Sequence, residues 1–217
     1  MPSPAIEDYL KAIFNLETQQ AVTTNNIAQT LNVTAASVTN MLKRLSDANY
    51  VDYSSYRGVK LTPLGRRYAL RTIRKHRLME LFLFKLLDYT WDEVHDEAEE
   101  LEHVISDRME EAIYKMLGNP VYDPHGDPIP DRDGTLPEID AIPLSEVKPR
   151  VKVIVRWVDH SDPEYLRYVE KLGLLPTTEL EVINKEPFGG PFVLQVNKMR
   201  KTIGVEASKK IFVSVIE

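Results

Sequence analysis

The chain has 217 residues, 43% of them hydrophobic and 28% charged, and no cysteine. That is the composition of a globular protein with room for one large domain or two to three small ones. The absence of cysteine excludes disulfides, zinc ribbons and thiolate chemistry. No apolar run approaches a membrane span, and the N-terminus lacks a charged-then-apolar signal pattern, so a cytoplasmic protein without a membrane partner is expected.

The net charge of −6 is unevenly spread. Residues 1–75 hold ten basic and five acidic side chains, residues 76–150 seven against nineteen, and residues 151–217 ten against nine. A basic first third beside a strongly acidic middle predicts a polyanion as partner for the one and cations for the other.

In chain order, Ser3-Pro4 is an N-cap followed by a first-turn proline. It predicts a helix to about Leu16 with Ile6, Leu10, Ile13 and Phe14 on its apolar face. Thr24 is read as the cap of a short helix to Leu31, and Asn32-Val33-Thr34 as a tight turn. A third helix is expected from Ala35 to about Ala48, with Val38, Met41, Leu42 and Leu45 inside. Tyr50–Tyr53 and Gly58–Leu61 read as a hairpin. Thr62-Pro63 opens a long helix to about Leu87, and Thr90 caps another that is expected to run unbroken to about Leu117. Residues 118–149 hold seven of the fourteen prolines and read as an ordered connector followed by a linker. Alternating segments then fall at Val151–Val158, Glu179–Asn184, Phe192–Asn197, Thr202–Val205 and Ile211–Ile216, with a helix over Pro163–Leu172 after the first. They predict a small β-barrel-like domain.

Helix, tight turn, helix, hairpin is the winged helix-turn-helix layout. Ala28 is small where the two helices must cross, and Leu31, Val33, Val38 and Leu42 supply internal packing. That leaves Thr34, Ala35, Ala36, Ser37, Thr39, Asn40 and Lys43 at the end and face that enter a major groove in this motif. Thr and Ser can bond phosphate or bases, Asn can read adenine and Ala can meet a thymine methyl. Lys43, Arg44, Arg57 and Lys60 add phosphate attraction. A winged helix used only for protein contacts is the alternative, and the local basic charge argues against it.

The stretch His95-Asp-Glu-Ala-Glu-Glu-Leu-Glu-His103 carries the chemistry. On a helix His95, Glu99, Glu102 and His103 fall on one arc, bordered by Val94, Ala98, Leu101 and Ile105. Imidazoles with carboxylates at the edge of an apolar stripe suit a divalent transition metal. A merely solvated acidic face would not require two histidines on that arc. His76 and Glu80, four apart on one helix face, make a second cluster with His95. A carboxylate-bridged metalloenzyme is the rival class. Glu100-x-x-His103 supplies half of a di-iron signature, and a second Glu-x-x-His is missing from the chain. A structural metal in a constitutive DNA binder is a third reading.

Arg74-Lys-His-Arg-Leu78, Val94–Glu99, Glu102–Asp107, Glu7-Asp-Tyr-Leu10 and Pro124-His-Gly-Asp-Pro-Ile-Pro130 together closely resemble the DtxR/MntR family of metal-dependent transcriptional repressors. The resemblance spans nearly the whole chain. It implies an α+β multidomain protein: a winged helix-turn-helix domain at 1–63, a helical metal-binding and dimerisation domain at 64–140, a linker at 141–150 and a C-terminal SH3-like (FeoA-like) small β-barrel at 151–217. The implied dimer surface involves Phe82, Phe84, Leu86, Leu87 and Ile113.

The same resemblance implies a regulatory metal site at Asp8, Glu99, Glu102 and His103. Asp8 and Glu99 stand where iron-responsive members carry sulfur ligands, which points to Mn²⁺, with an Fe²⁺-responsive repressor as the alternative. Lys11 replaces the Glu that would bridge a second, closely spaced ion. The ancillary site would draw on His76, Glu80 and His95, completed by His125 and Asp123 from the connector or by Asp162 from the C-terminal domain, with His160 and Asp159 as rivals. Two ions per subunit are thus implied. So are a homodimer on double-stranded operator DNA at promoters of metal-transport genes, repression when metal is bound, and neither enzymatic activity nor an organic substrate.

Overall fold

The structure, a computed structural model, describes residues 2–17, 22–54 and 58–216. It divides into two compact units, the first comprising residues 1–76, 102–105 and 130–135, the second residues 77–101, 106–129 and 136–217.

The first unit opens with α1 (Pro4–Glu17), α2 (Thr24–Thr30) and α3 (Ala35–Asp47). The hairpin β1 (Val51–Ser54) and β2 (Gly58–Leu61) follows, then the start of α4 (Pro63–Leu86). Helical spacing puts Leu10, Ile13 and Phe14 of α1 inside with Ile27, Val38, Leu42, Leu45, Val51 and Val59. The cap of α2 is Thr23, one residue earlier than expected, because Thr23 and Asn26 bond each other's backbone N–H in a capping box. Thr34 caps α3, accepting from the Ser37 amide. Val33, expected in the core, is 40% exposed at the turn between the two helices. The hairpin pairs Val51 with Leu61 through Ser54 with Gly58. Glu17 accepts from the Leu61 amide at 2.7 Å, fixing the end of α1 on β2.

The expected single helix from Trp91 to Leu117 is broken. It forms α5 (Val94–Leu101) and α6 (Asp107–Met116), with Glu102–Ser106 as a turn between them. Ser106 accepts from the Met109 amide and starts α6 afresh. The Lys75 ammonium donates to the Ile105 carbonyl at 2.9 Å, satisfying an acceptor that the break takes out of the helical ladder. Compact division falls inside α4, between His76 and Arg77.

In the second unit, strands β3 (Ile142–Pro143), β4 (Val151–Val158), β5 (Glu179–Lys185), β6 (Phe192–Val196), β7 (Met199–Ile203) and β8 (Ile211–Val215) form one antiparallel sheet. Its order is β3-β8-β4-β5-β6-β7. Helix α7 (Pro163–Leu172) lies where the sequence places it, capped by Asp162 and closed by Gly173 at φ 74°. The short α8 (Val205–Ser208) precedes β8. Alternation along β4, β6 and β8 buries Val153, Val155, Phe192, Leu194, Ile211 and Val213 together with Tyr165, Leu166 and Val169 of α7. Trp91 joins this core from the segment before α5. Ile113, expected on a dimer surface, is buried, whereas Phe84, Leu86, Leu87, Met109 and Met116 are exposed.

A tight turn at residues 123–127 stands against β4. The Val158 amide donates to the His125 carbonyl at 3.0 Å. Gly126 has φ +91°, and a Cβ there would lie 1.9 Å from the Arg156 carbonyl oxygen. Gly126→Ala is therefore expected to lower the stability of the full chain by at least about 1–3 kcal/mol. A urea midpoint equal to that of the wild type would show that the turn does not seat against the strand.

Candidate metal centres and nucleic-acid interface

Three of the expected ligands meet in the first unit. Asp8 comes from the first half of α1, and Glu102 and His103 come from the turn after α5. The carboxylate and imidazole atoms of all three lie within 4.8 Å of one another. His103 Nε2 is 2.8 Å from Asp8 Oδ1 and 3.5 Å from Glu102 Oε1. Its other nitrogen, Nδ1, is 2.8 Å from Glu7 Oε2. A proton held on Nδ1 by Glu7 leaves Nε2 as the ligating atom beside Asp8, the arrangement that orients metal-bound histidines. Burial works against the charged imidazole, but the bond to Glu7 and the charges of Glu102 and Asp8 outweigh it and raise the His103 pKa.

Glu102 has no exposed side-chain surface. Lys11 donates to its Oε1 at 2.7 Å, and His76 donates from Nδ1 to its Oε2 at 2.6 Å. The structure thus couples His76 to Glu102 in the first unit, while placing it one turn before Glu80 on α4. Glu99 lies on α5 in the second unit, where its Oε1 is 3.7 Å from His95 Nε2.

A second cluster forms within the second unit. The turn Asp123–Asp127 is built by Asp123, whose Oδ1 accepts from the amides of His125 and Asp127. His125 is fully buried and stacks on Trp91. Its Nε2 must donate to the Trp91 carbonyl at 2.7 Å, since a carbonyl only accepts. Nδ1 is then a lone pair aimed at Glu80 Oε2, 3.9 Å away. Burial keeps His125 neutral by lowering its pKa, which suits a ligand. Asp123 Oδ2, His125 Nδ1, Asp127 Oδ2 and His160 Nδ1 are all buried without a hydrogen bond. Asp127 Oδ2 and His160 Nδ1 face each other at 3.4 Å and Asp123 Oδ2 faces Arg77 Nε at 3.7 Å, contacts longer than a good hydrogen bond, and a divalent ion would suit this set of carboxylate and imidazole donors.

His160 is the residue that the loop after β4 contributes. Its ring stacks 4.7 Å from that of His125, and its Nδ1 is 3.4 Å from Asp127 Oδ2. Asp162, preferred from the sequence, instead accepts from the amides of Glu164 and Tyr165 as the cap of α7. Asp159 is turned back onto Ser161. His95 approaches Glu80 Oε1 at 3.2 Å. Sequence reasoning missed Glu7 and Asp127. Both lie next to or near expected ligands inside motifs already singled out, but only the fold shows their contacts.

The residues expected to meet nucleic acid lie along the exposed side of α3 and on β2. Thr34, Ala35, Ala36, Ser37, Asn40, Lys43, Arg44 and Lys60 are exposed, and Thr39 is half-buried. The hydroxyls of Thr34 and Ser37 bond each other at 2.9 Å, and Thr39 donates to the Ala35 carbonyl. Asn40, Lys43 and Arg44 are further polar side chains exposed on α3. Arg57 lies outside the described residues.

Three matches cover most of the chain. Residues 1–59 match the N-terminal DNA-binding domain of the iron-dependent repressors, residues 62–131 their metal-binding and dimerisation domain, and residues 142–215 the FeoA domain. A solved structure described as a manganese-dependent transcriptional repressor complex with manganese is 36% identical, with a TM-score of 0.88 over 97% of this chain and 100% of that one. The manganese regulator SloR is 31% identical, with a TM-score of 0.75 over 100% of both chains. The HTH-type transcriptional regulator MntR of Oceanobacillus iheyensis is 36% identical over 107 residues, which is 49% of this chain and 72% of that protein.

In the second cluster burial disfavours charged His160, but Asp127, Glu80 and Asp123 overcome this and raise its pKa to about 9. Because that value lies above the ordinary 6.5, the pair with Asp127 adds stability below pH 6.5 that fades as the pH rises through about 9. NMR titration of metal-free protein is expected to show one imidazole with this midpoint and to find it lowered in Asp127→Asn. An unshifted His160 in that variant would refute the pairing.

Proposed function

The chain belongs to the iron-dependent repressor (DtxR/MntR) family of metal-dependent DNA-binding transcriptional regulators, and on that premise we propose that Mn²⁺ is its signal and metal-uptake promoters its targets. The single observation that carries the choice of ion is the donor set. Asp8, Glu102 and His103 offer only oxygen and imidazole nitrogen, as do Glu80, Asp123, His125, Asp127 and His160. Hard ligands of this kind suit Mn²⁺ and tolerate Fe²⁺. Likeness to a manganese-dependent transcriptional repressor and to the manganese regulator SloR supports the same reading.

The first ion would be held by Asp8, Glu102 and His103, and the second by Glu80, His125 and their carboxylate neighbours, with His160 in the position expected of Asp162. Once bound, the ion supplies a double positive charge shared by ligands distant in sequence. The chain does the rest. Asp8 belongs to α1, whose apolar face packs in the core that also seats α3. Tying α1 to the turn 102–105 therefore restrains the reading helix, and an ion that binds this restrained form better shifts the population towards it. In a homodimer the two reading helices must match half-sites about 34 Å apart. Exposed Phe84, Leu86, Leu87, Met109 and Met116 supply apolar surface for that pairing. The protein acts as a transcriptional regulator and not as an enzyme.

Binding to an uptake-gene promoter fragment, with chelator, Mn²⁺, anaerobic Fe²⁺ or Zn²⁺, is expected to appear only with metal and to be lost in Asp8→Asn and Glu102→Gln. Glu99→Ala, three residues before Glu102, belongs in the same series. Equal binding in chelator would make the metal structural. Lys43→Ala is expected to weaken binding across all DNA sequences and to reduce the salt slope by about one. An unchanged slope would remove Lys43 from the phosphate contacts.

A further inference from the structure

Lys11 is a charged feature of the first cluster that metal binding as described leaves unused. It stands one turn after Glu7 and Asp8 on α1, its side chain 12% exposed, with its ammonium 2.7 Å from Glu102 Oε1. Glu102 Oε1 is also the oxygen that faces His103 Nε2, at 3.5 Å. The ammonium therefore sits on the same carboxylate oxygen that a divalent ion beside His103 would use. Lysine's charge is compact and its stem flexible, so it can withdraw from an oxygen without moving α1.

Charge counting gives the consequence. With neutral histidines, Glu7, Asp8, Glu102 and Lys11 together carry −2, which one divalent ion neutralises. Without Lys11 the same cluster would carry −3 and hold that ion more strongly. We propose that Lys11 is an internal rival cation that sets the metal concentration at which the first cluster fills. It neutralises Glu102 when metal is scarce and must share or surrender Oε1 when metal binds. The proposal rests on the reading of Asp8, Glu102 and His103 as an ion site.

The test is an Mn²⁺ titration of the full-length protein, following loss of the six-line electron paramagnetic resonance signal of the hydrated ion. Four proteins are compared: wild type, Lys11→Gln, Lys11→Arg and Asp8→Asn. The binding phase that Asp8→Asn abolishes is the first cluster. In Lys11→Gln, which keeps a donor for Glu102 but no charge, that phase is expected to tighten about tenfold or more. In Lys11→Arg, whose guanidinium can grip a carboxylate through two N–H groups, it is expected to weaken severalfold. The two variants move in opposite directions, so if one fails to fold the other still decides.

A Lys11→Gln protein that is folded but binds no more tightly, or a Lys11→Arg protein that binds as tightly as wild type, would reduce Lys11 to a structural ion pair and overturn the proposal. Were Asp8→Asn to lose no ion, the site itself would fall and the proposal with it, an outcome distinguishable from the other two.

Discussion

A carboxylate removed from water must be met by positive charge or by hydrogen-bond donors, and much of this fold is organised around carboxylates that have been so removed. Glu102 is enclosed completely and accepts from Lys11 and His76. Asp123, also enclosed, uses one oxygen to hold two backbone amides and leaves the other facing the second cluster. Burial and the neighbouring charges of Asp127 and Glu80 push the Asp123 carboxyl well above the usual range, in spite of Arg77 and His160. Negative charge is thus concentrated where the protein alone does not fully balance it. A divalent cation resolves that imbalance, which is the physical basis of a protein whose DNA-binding form depends on metal.

The backbone devices that create the two clusters are small. In the first unit, the interruption between α5 and α6 lets Glu102 turn inward while Ser106 restarts the helix and Lys75 satisfies the Ile105 carbonyl. In the second, a five-residue Asp-Pro-His-Gly-Asp turn brings Asp123, His125 and Asp127 together and seats them on β4 through Gly126. Trp91 links that turn to the sheet core, since its side chain is buried in that core while its carbonyl fixes the tautomer of His125. The same residue therefore contributes both to stability and to ligand orientation.

Elements governed by local rules were legible from the sequence. The helix expected over Pro163–Leu172 is α7, with Asp162 as its cap, proline in its first turn and Gly173 at its stop. Alternation placed five strands of the C-terminal sheet to within a few residues at their ends, whereas β3 and the buried Leu144 and Val147 fall in the stretch 141–150 expected to be a linker; the spacing of Val38, Leu42 and Leu45 indicated which face of α3 remains outside. The break in the expected helix from Trp91 to Leu117 was not legible. Helical periodicity continues through Glu102–Ile105, and the local propensities there are overridden by contacts that Glu102 and Ile105 make with residues far away in the chain.

The same division holds for the candidate sites. Residue types were enough to point to hard-metal chemistry, because carboxylates and imidazoles stand together at helical spacing in the acidic middle of a chain with no cysteine. They could not choose among Asp159, His160 and Asp162, which are equally near in sequence. A backbone amide claims Asp162 for the α7 cap and a neighbouring serine claims Asp159, leaving His160 to stack on His125. Nor could spacing reveal that Glu7 orients His103 or that Lys11 neutralises Glu102, pairs separated by 96 and 91 residues. Composition and periodicity determine which side chains a chain can offer and which local elements they favour. Which of them meet, and which oxygen is already taken, is decided only when distant segments pack, because the cost of burying charge depends on every neighbour at once.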